Sequence, residues 1–115
     1  MSTHIRRGQV WWANLDPRGT EPGKIRPVVV LQTDLLNDVG HPSTLVCPLT
    51  TNIAKKASIL RIRLEKGEVG NEQASDILVD QVRAIDNTRL ITQIGILSTL
   101  KLLKLGENVK IVLDL

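Results

Sequence analysis

The chain has 115 residues, 42% of them apolar, yet no Phe or Tyr and only two Trp, so its core must be aliphatic and a nucleic-acid binder built on rows of stacked rings is excluded. Fifteen basic against twelve acidic side chains leave a net charge of +3, which permits a polyanionic partner without demanding one. Cys47 stands alone, which excludes an intrachain disulfide and a zinc site of clustered thiolates and suits a reducing cytoplasm, and no run reaches the roughly 20 apolar residues of a membrane span.

One domain over residues 1–115 is expected at this length, with no repeat, low-complexity tract or linker to divide it. Residues 9–15 read as a first strand that is apolar on both faces, with Val10 and Trp12 on one and Trp11, Ala13 and Leu15 on the other. Both tryptophans are expected in the core, since few other bulky side chains exist to fill it. The loop from Asp16 to Lys24 is rich in Pro and Gly and, with Arg26, carries three cations.

A second strand is expected from Pro27 to Gln32, with proline tolerated at its first position because the missing donor falls at the end of the ladder. Proline also drives Arg26 into extended backbone, so a permanent planar cation stands at the mouth of a rigid element beside a basic lip made by Arg18 and Lys24. A guanidinium so placed matches phosphate oxygens; it equally serves to cap the strand and pair with Glu21.

Thr33 or Asp34 caps one helical turn through Asn37, which Gly40 and Pro42 end. A third strand over residues 44–49 holds Cys47 as inert packing and leads into the polar segment Thr50 to Lys56. Residues 60–64 alternate apolar Leu60, Ile62 and Leu64 with Arg61 and Arg63, one face for packing and one cationic. The cationic face suits an RNA backbone or an acidic protein, and also blunts edge pairing. Residues 75–85 resume the sheet around Asp80-Gln81-Val82-Arg83, residues 89–97 add a strand, and Ser98 or Thr99 caps a terminal helix that Gly106 weakens and is able to break. Five or six strands and one helix point to a strongly bent sheet or small barrel with a helix against it.

Four blocks in order resemble the MazF/PemK toxin family: Arg7-Gly8-Gln9-Val10-Trp11 with Leu15-Asp16-Pro17; Gly19-Thr20-Glu21 followed by Arg26-Pro27-Val28-Val29-Val30; Val46-Cys47-Pro48-Leu49-Thr50-Thr51; and Asp80-Gln81-Val82-Arg83 with Ile85-Asp86. Pro22 departs from the pattern, since many members carry Gln there. The resemblance implies a mainly β, SH3-like barrel of the CcdB/MazF/PemK toxin type with a C-terminal helix, working as a homodimer in the cytoplasm. It implies a metal-independent, cofactor-free endoribonuclease that cuts single-stranded mRNA at a short sequence to a 2′,3′-cyclic phosphate and a 5′-hydroxyl, neutralised by a MazE-like antitoxin with an acidic tail.

Carried onto this chain, the family's catalytic arginine is Arg26 and its catalytic threonine is Thr50. Glu21, Thr51 and Gln81 match its groove-lining blocks, and Arg18, Thr20, Lys24, Asn52, Lys55 and Lys56 extend the expected RNA-binding set along the loops after the first and third strands. Arg26 suits the charge that builds on a phosphate during attack by the RNA's 2′-hydroxyl, and Thr50 offers a hydroxyl to the same oxygens. Neither is a base, and His4 and His41, the only imidazoles, fall in a tail and a turn typical of solvated positions. Two rivals share the expected fold: a CcdB-like poison of DNA gyrase, and a non-catalytic RNA-binding barrel.

Overall fold

The computed structural model describes residues 4–15, 24–53 and 59–115, which form seven strands and two α-helices. In chain order these are β1 (Gln9–Asn14), β2 (Ile25–Val30), α1 (Asp34–Asp38), β3 (Ser43–Thr50), β4 (Ile62–Leu64), β5 (Ser75–Ile77), β6 (Arg83–Asp86), β7 (Leu90–Ile96) and α2 (Thr99–Val112), with 3₁₀ turns at Val79–Gln81 and Asn87–Arg89. The sheet runs β4-β5-β3-β2-β1-β7, with β6 also on β3, and every pairing is antiparallel. It is a mainly β, curled half-barrel carrying a C-terminal helix, as expected.

Strand β3 organises the curl by changing partners along its length. Residues 43–46 pair with β6, 46–48 with β2, and 49–50 with β5. The β2–β3 ladder ends at Val28 opposite Pro48, one residue from Pro27. Pro27 has no N–H to offer β3 beyond that pair, while the Pro48 backbone faces the other way, its carbonyl accepting from the Leu78 N–H at 2.9 Å, and β3 goes on to pair with β5. Pro27 therefore lies inside β2, which begins at Ile25, and not at its first position.

Period-two alternation splits the buried residues into two clusters. Val10, Val29, Cys47, Leu49, Leu64 and Ile77 pack on the face covered by α2, through Leu105 and Val109. Trp11, Ala13, Leu15, Val28, Val30, Val46 and Ile85 form a second cluster. Trp11 is buried as expected, whereas Trp12 is only half-buried and lines a surface cleft.

Residues 75–85, which read as one resumed stretch, divide into β5, the 3₁₀ turn and β6. Gly70 and Gly95 lie where two backbones cross: a Cβ on Gly95 would stand 2.1 Å from the Val69 carbonyl oxygen, and one on Gly70 would stand 2.1 Å from that of Ile94. Gly70 also has a φ of +81°, which disfavours a side chain there.

Helix α2 starts at Ser98, whose Oγ accepts from the Lys101 N–H at 3.2 Å. It runs unbroken through Gly106, where the Arg7 guanidinium approaches to 3.3 Å of the site a Cβ would occupy. Its buried side faces the core through Leu105, Asn108 and Val109, and Asn108 Nδ2 donates to the Leu60 carbonyl at 3.0 Å. Leu100 and Leu103, which share the helical apolar pattern, are exposed.

Candidate functional site

At the edge of the second core cluster, β1 and the residue after it, β2, β3 and β6 each contribute a residue on the same face. Leu15 follows Ala13 on β1's face, Arg26 lies two residues before Val28 on β2, Pro48 two after Val46 on β3, and Arg83 two before Ile85 on β6. Antiparallel pairing brings these ends together, and they line a cleft of about 140 Å³ with Lys24 and Gln81. Among the described residues this cleft has three cations and no carboxylate in its lining. An apolar floor of Leu15 and Pro48 beneath convergent cations is suited to an anion that also carries an organic body.

Arg26 is half-buried, and Thr50 is half-buried at the end of β3. Arg26 lies two residues before Val28 and Thr50 two after Pro48, both beyond the last β2–β3 pair, and the alternation along each strand puts them on the face of Val28 and Pro48. Thr50 Oγ1 accepts from the Asn52 N–H at 3.1 Å, which orients the side chain and leaves its own hydrogen available to donate. Thr50 itself does not line the Arg26 cleft, but lies beyond Pro48 on the same edge.

Of the expected RNA-binding residues, Lys24 and Gln81 share the cleft with Arg26. Thr51 lies on the reverse face, in a second cleft of about 160 Å³ with Trp12, Pro27 and Leu49. Asn52 is exposed, and its carbonyl accepts from Arg61 Nη1 at 3.1 Å. Arg18, Thr20, Glu21, Lys55 and Lys56 lie outside the described residues. Arg83 also lines the Arg26 cleft and lies outside the expected set; its alternation with Ile85 in the Asp80 to Asp86 block is the signal that points to it.

The two arginines of β4's neighbourhood are committed elsewhere. Asp76, 3% exposed, accepts from Arg63 Nε at 2.7 Å and lies 3.6 Å from Arg61 Nη1. Their expected cationic face is thus partly neutralised by a buried carboxylate paired in register with Thr50.

His4 and His41 line a common cleft of about 170 Å³ with Asp38, near α1. That cleft adjoins the start of β3, about 20 Å along the strand from Thr50. No imidazole is in the described lining of the Arg26 cleft. Burial pushes the Cys47 thiol up to about 12, with Asp80 adding to the effect, so the thiol stays protonated and inert.

Among the described residues no group of three or more His, Cys, Asp or Glu side chains is placed to hold a metal ion, and no helix is long and apolar enough to cross a membrane. The family of PemK-like, MazF-like toxins of type II toxin–antitoxin systems matches residues 6–113. Endoribonuclease MazF of Staphylococcus epidermidis is 35% identical over 112 residues, covering 96% of this chain and 92% of the relative. Endoribonuclease EndoA of Bacillus subtilis is also 35% identical over 112 residues, covering 96% of each. The solved MazE-MazF structure from Deinococcus radiodurans superposes with a TM-score of 0.80 at 24% identity, over 99% of both chains. With a family match across nearly the whole sequence and relatives above 30% identity, the chain belongs to the PemK-like, MazF-like toxins of type II toxin–antitoxin systems.

Proposed function

We infer that this chain is an endoribonuclease toxin that cuts single-stranded mRNA at a short sequence, with Arg26 and Thr50 as its catalytic pair. The supporting observation is the meeting of Arg26, Lys24 and Gln81 in one cleft, in a chain 35% identical along its length to endoribonucleases. The RNA's 2′-oxygen bonds to the neighbouring phosphorus and loses its proton, while the bond from phosphorus to the 5′-oxygen breaks and that oxygen leaves as a hydroxyl. The products are a 2′,3′-cyclic phosphate and a free 5′-hydroxyl.

Arg26 stabilises the extra negative charge on the non-bridging oxygens, the term that usually dominates such catalysis. Thr50, oriented by the Asn52 N–H, donates to the same phosphate or holds the attacking nucleotide in line. Gln81, Lys24, Thr51 and Asn52, with Arg18, Thr20, Glu21, Lys55 and Lys56 of the adjoining loops, bind the RNA. The chemistry needs neither metal nor cofactor.

The whole chain works as one domain, as a homodimer in the cytoplasm, and a MazE-like antitoxin holds it inactive. The antitoxin reading is supported by the Deinococcus radiodurans relative, solved as MazE-MazF. An acidic, disordered antitoxin segment would occupy the cationic cleft and block Arg26 by charge and occupancy. Relatives that are endoribonucleases favour this reading over a gyrase poison or a passive RNA-binding barrel.

Purified protein incubated with a mixed-sequence RNA in EDTA tests it. Fragments ending in a cyclic phosphate are expected from the wild type and not from Arg26→Ala. Intact RNA at high wild-type concentration, or equal cutting by both proteins, would overturn the reading.

A further inference from the structure

We propose that Arg83 forms a second phosphate subsite, holding the phosphate one nucleotide away from the one that Arg26 engages; this rests on the ribonuclease reading above. Arg83 and Arg26 stand on β6 and β2, the strands that flank β3 on its two sides. Arg83 is opposite Val46 and Arg26 lies two residues beyond the pairing of Val28 with Pro48, so the two stand on opposite sides of β3 and are displaced from each other along it. Two strand spacings alone set their backbones on the order of 10 Å apart, which favours contacts to two different phosphates. Both line the same cleft, together with Pro48 of the strand between them.

Proline matters to that convergence. The Pro48 ring is compact, so neither guanidinium is blocked from crossing the strand between them, and its place in the cleft lining supplies an apolar floor for a ribose or base between two charged ends. Arg83 is exposed and makes no ion pair among the described residues, and its own strand neighbours place no carboxylate in the cleft. Arg26, by contrast, is half-buried beside the end of β3 that carries Thr50. The asymmetry assigns different tasks: Arg26 meets the phosphate where charge develops, and Arg83 meets a phosphate whose charge does not change during the reaction. A contact equal in ground and transition states lowers KM and leaves kcat alone.

The test compares wild type, Arg83→Ala and Arg83→Lys on a short RNA with one cleavage site. It then uses the same RNA with a neutral methylphosphonate in place of the phosphate on the 5′ or the 3′ side of the scissile one. Arg83→Ala is expected to raise KM about 10- to 100-fold with kcat within about threefold, and to lessen the salt dependence of binding by about one phosphate contact. Arg83→Lys should recover part of the loss, because it keeps the charge and loses the fork. One of the two methylphosphonates should impair the wild type and have no further effect on Arg83→Ala. A kcat loss with unchanged KM, or a methylphosphonate penalty that persists undiminished at both positions in Arg83→Ala, would overturn the assignment. Wild-type cutting with an unaltered Arg83→Ala overturns the Arg83 subsite alone, whereas a wild type that leaves every RNA intact overturns the ribonuclease reading beneath it.

Discussion

Val28 of β2 stands opposite Pro48 of β3, and beyond that pair the two strands part. Pro27, the next residue along β2, has no N–H to offer β3, and past that pair β3 turns to β5. Arg26 and Thr50 occupy the freed ends, on one face of the sheet.

Replacing Arg26 by Ala is expected to lower kcat about 100- to 1,000-fold, the usual cost of deleting a group that stabilises developing charge. Stability should change by less than about 1 kcal/mol, because a half-buried side chain at a strand end contributes little packing. Single-turnover cleavage and urea unfolding, measured on the same preparation, separate the two effects. A loss of activity matched by a large loss of stability would point to a structural role.

Thr50 permits a cleaner comparison, because valine keeps its shape and serine keeps its hydroxyl. Thr50→Val should lose the bond from the Asn52 N–H, costing about 1 kcal/mol, and slow cleavage at least tenfold. Thr50→Ser should retain most of both. Equal rates for valine and serine would remove the hydroxyl from the mechanism.

Asp76 is expected to act on stability. Its carboxylate is buried and holds Arg63 at 2.7 Å with Arg61 at 3.6 Å, but the arginines keep partial access to water. Asp76→Asn should therefore cost about 2 kcal/mol, less than the penalty for stranding a fully buried charge. Denaturant midpoints for Asp76→Asn, Arg63→Gln and the double variant would show coupling between the two sites, and strict additivity would argue against the pair.

The Glu68 carboxyl is held below its ordinary value of 4.5, chiefly by the hydrogen bond from Lys101 and then by the Glu65 N–H, against a small opposing effect of burial. A depressed carboxylate stabilises the fold above its unfolded pKa, and that contribution fades as pH falls through the folded one. Glu68→Gln should thus be less stable than wild type at neutral pH, by about 0.5 kcal/mol, with the gap closing as pH drops below about 4.5. Thermal melts across that range supply the measurement, and a gap that widens in acid would contradict the sign.

Much of the fold was legible because local rules agree with the tertiary outcome. Ser98 caps α2, Thr33 caps α1 and the run from Pro27 to Val30 is a strand, since capping and β-branching act over a few residues. Leu100 and Leu103 have the same helical spacing as Leu105 and Val109 and yet are exposed, because spacing marks an apolar stripe and only the neighbouring strands select which edge of it is covered. Trp12 was expected in the core for want of other bulky fillers, but the opening between Pro27 and Leu49 leaves its ring at a cleft. Arg83 stood in plain view within a family block, and nothing local distinguishes it from Arg61, which is tied to Asp76.

By itself the chain of residues determined an aliphatic, mostly β domain with a terminal helix, membership of a toxin family, and the identity of one arginine fixed by its proline. These depend on composition, alternation and order along the backbone, all of which are properties of neighbours in sequence. Tertiary structure alone decided that β3 serves three partner strands, that Arg26, Lys24, Gln81 and Arg83 meet in one cleft, and that Arg61 and Arg63 turn away to a buried carboxylate. Those outcomes follow from strand register, which brings together residues up to 59 positions apart (Lys24 and Arg83), a distance over which no local preference acts.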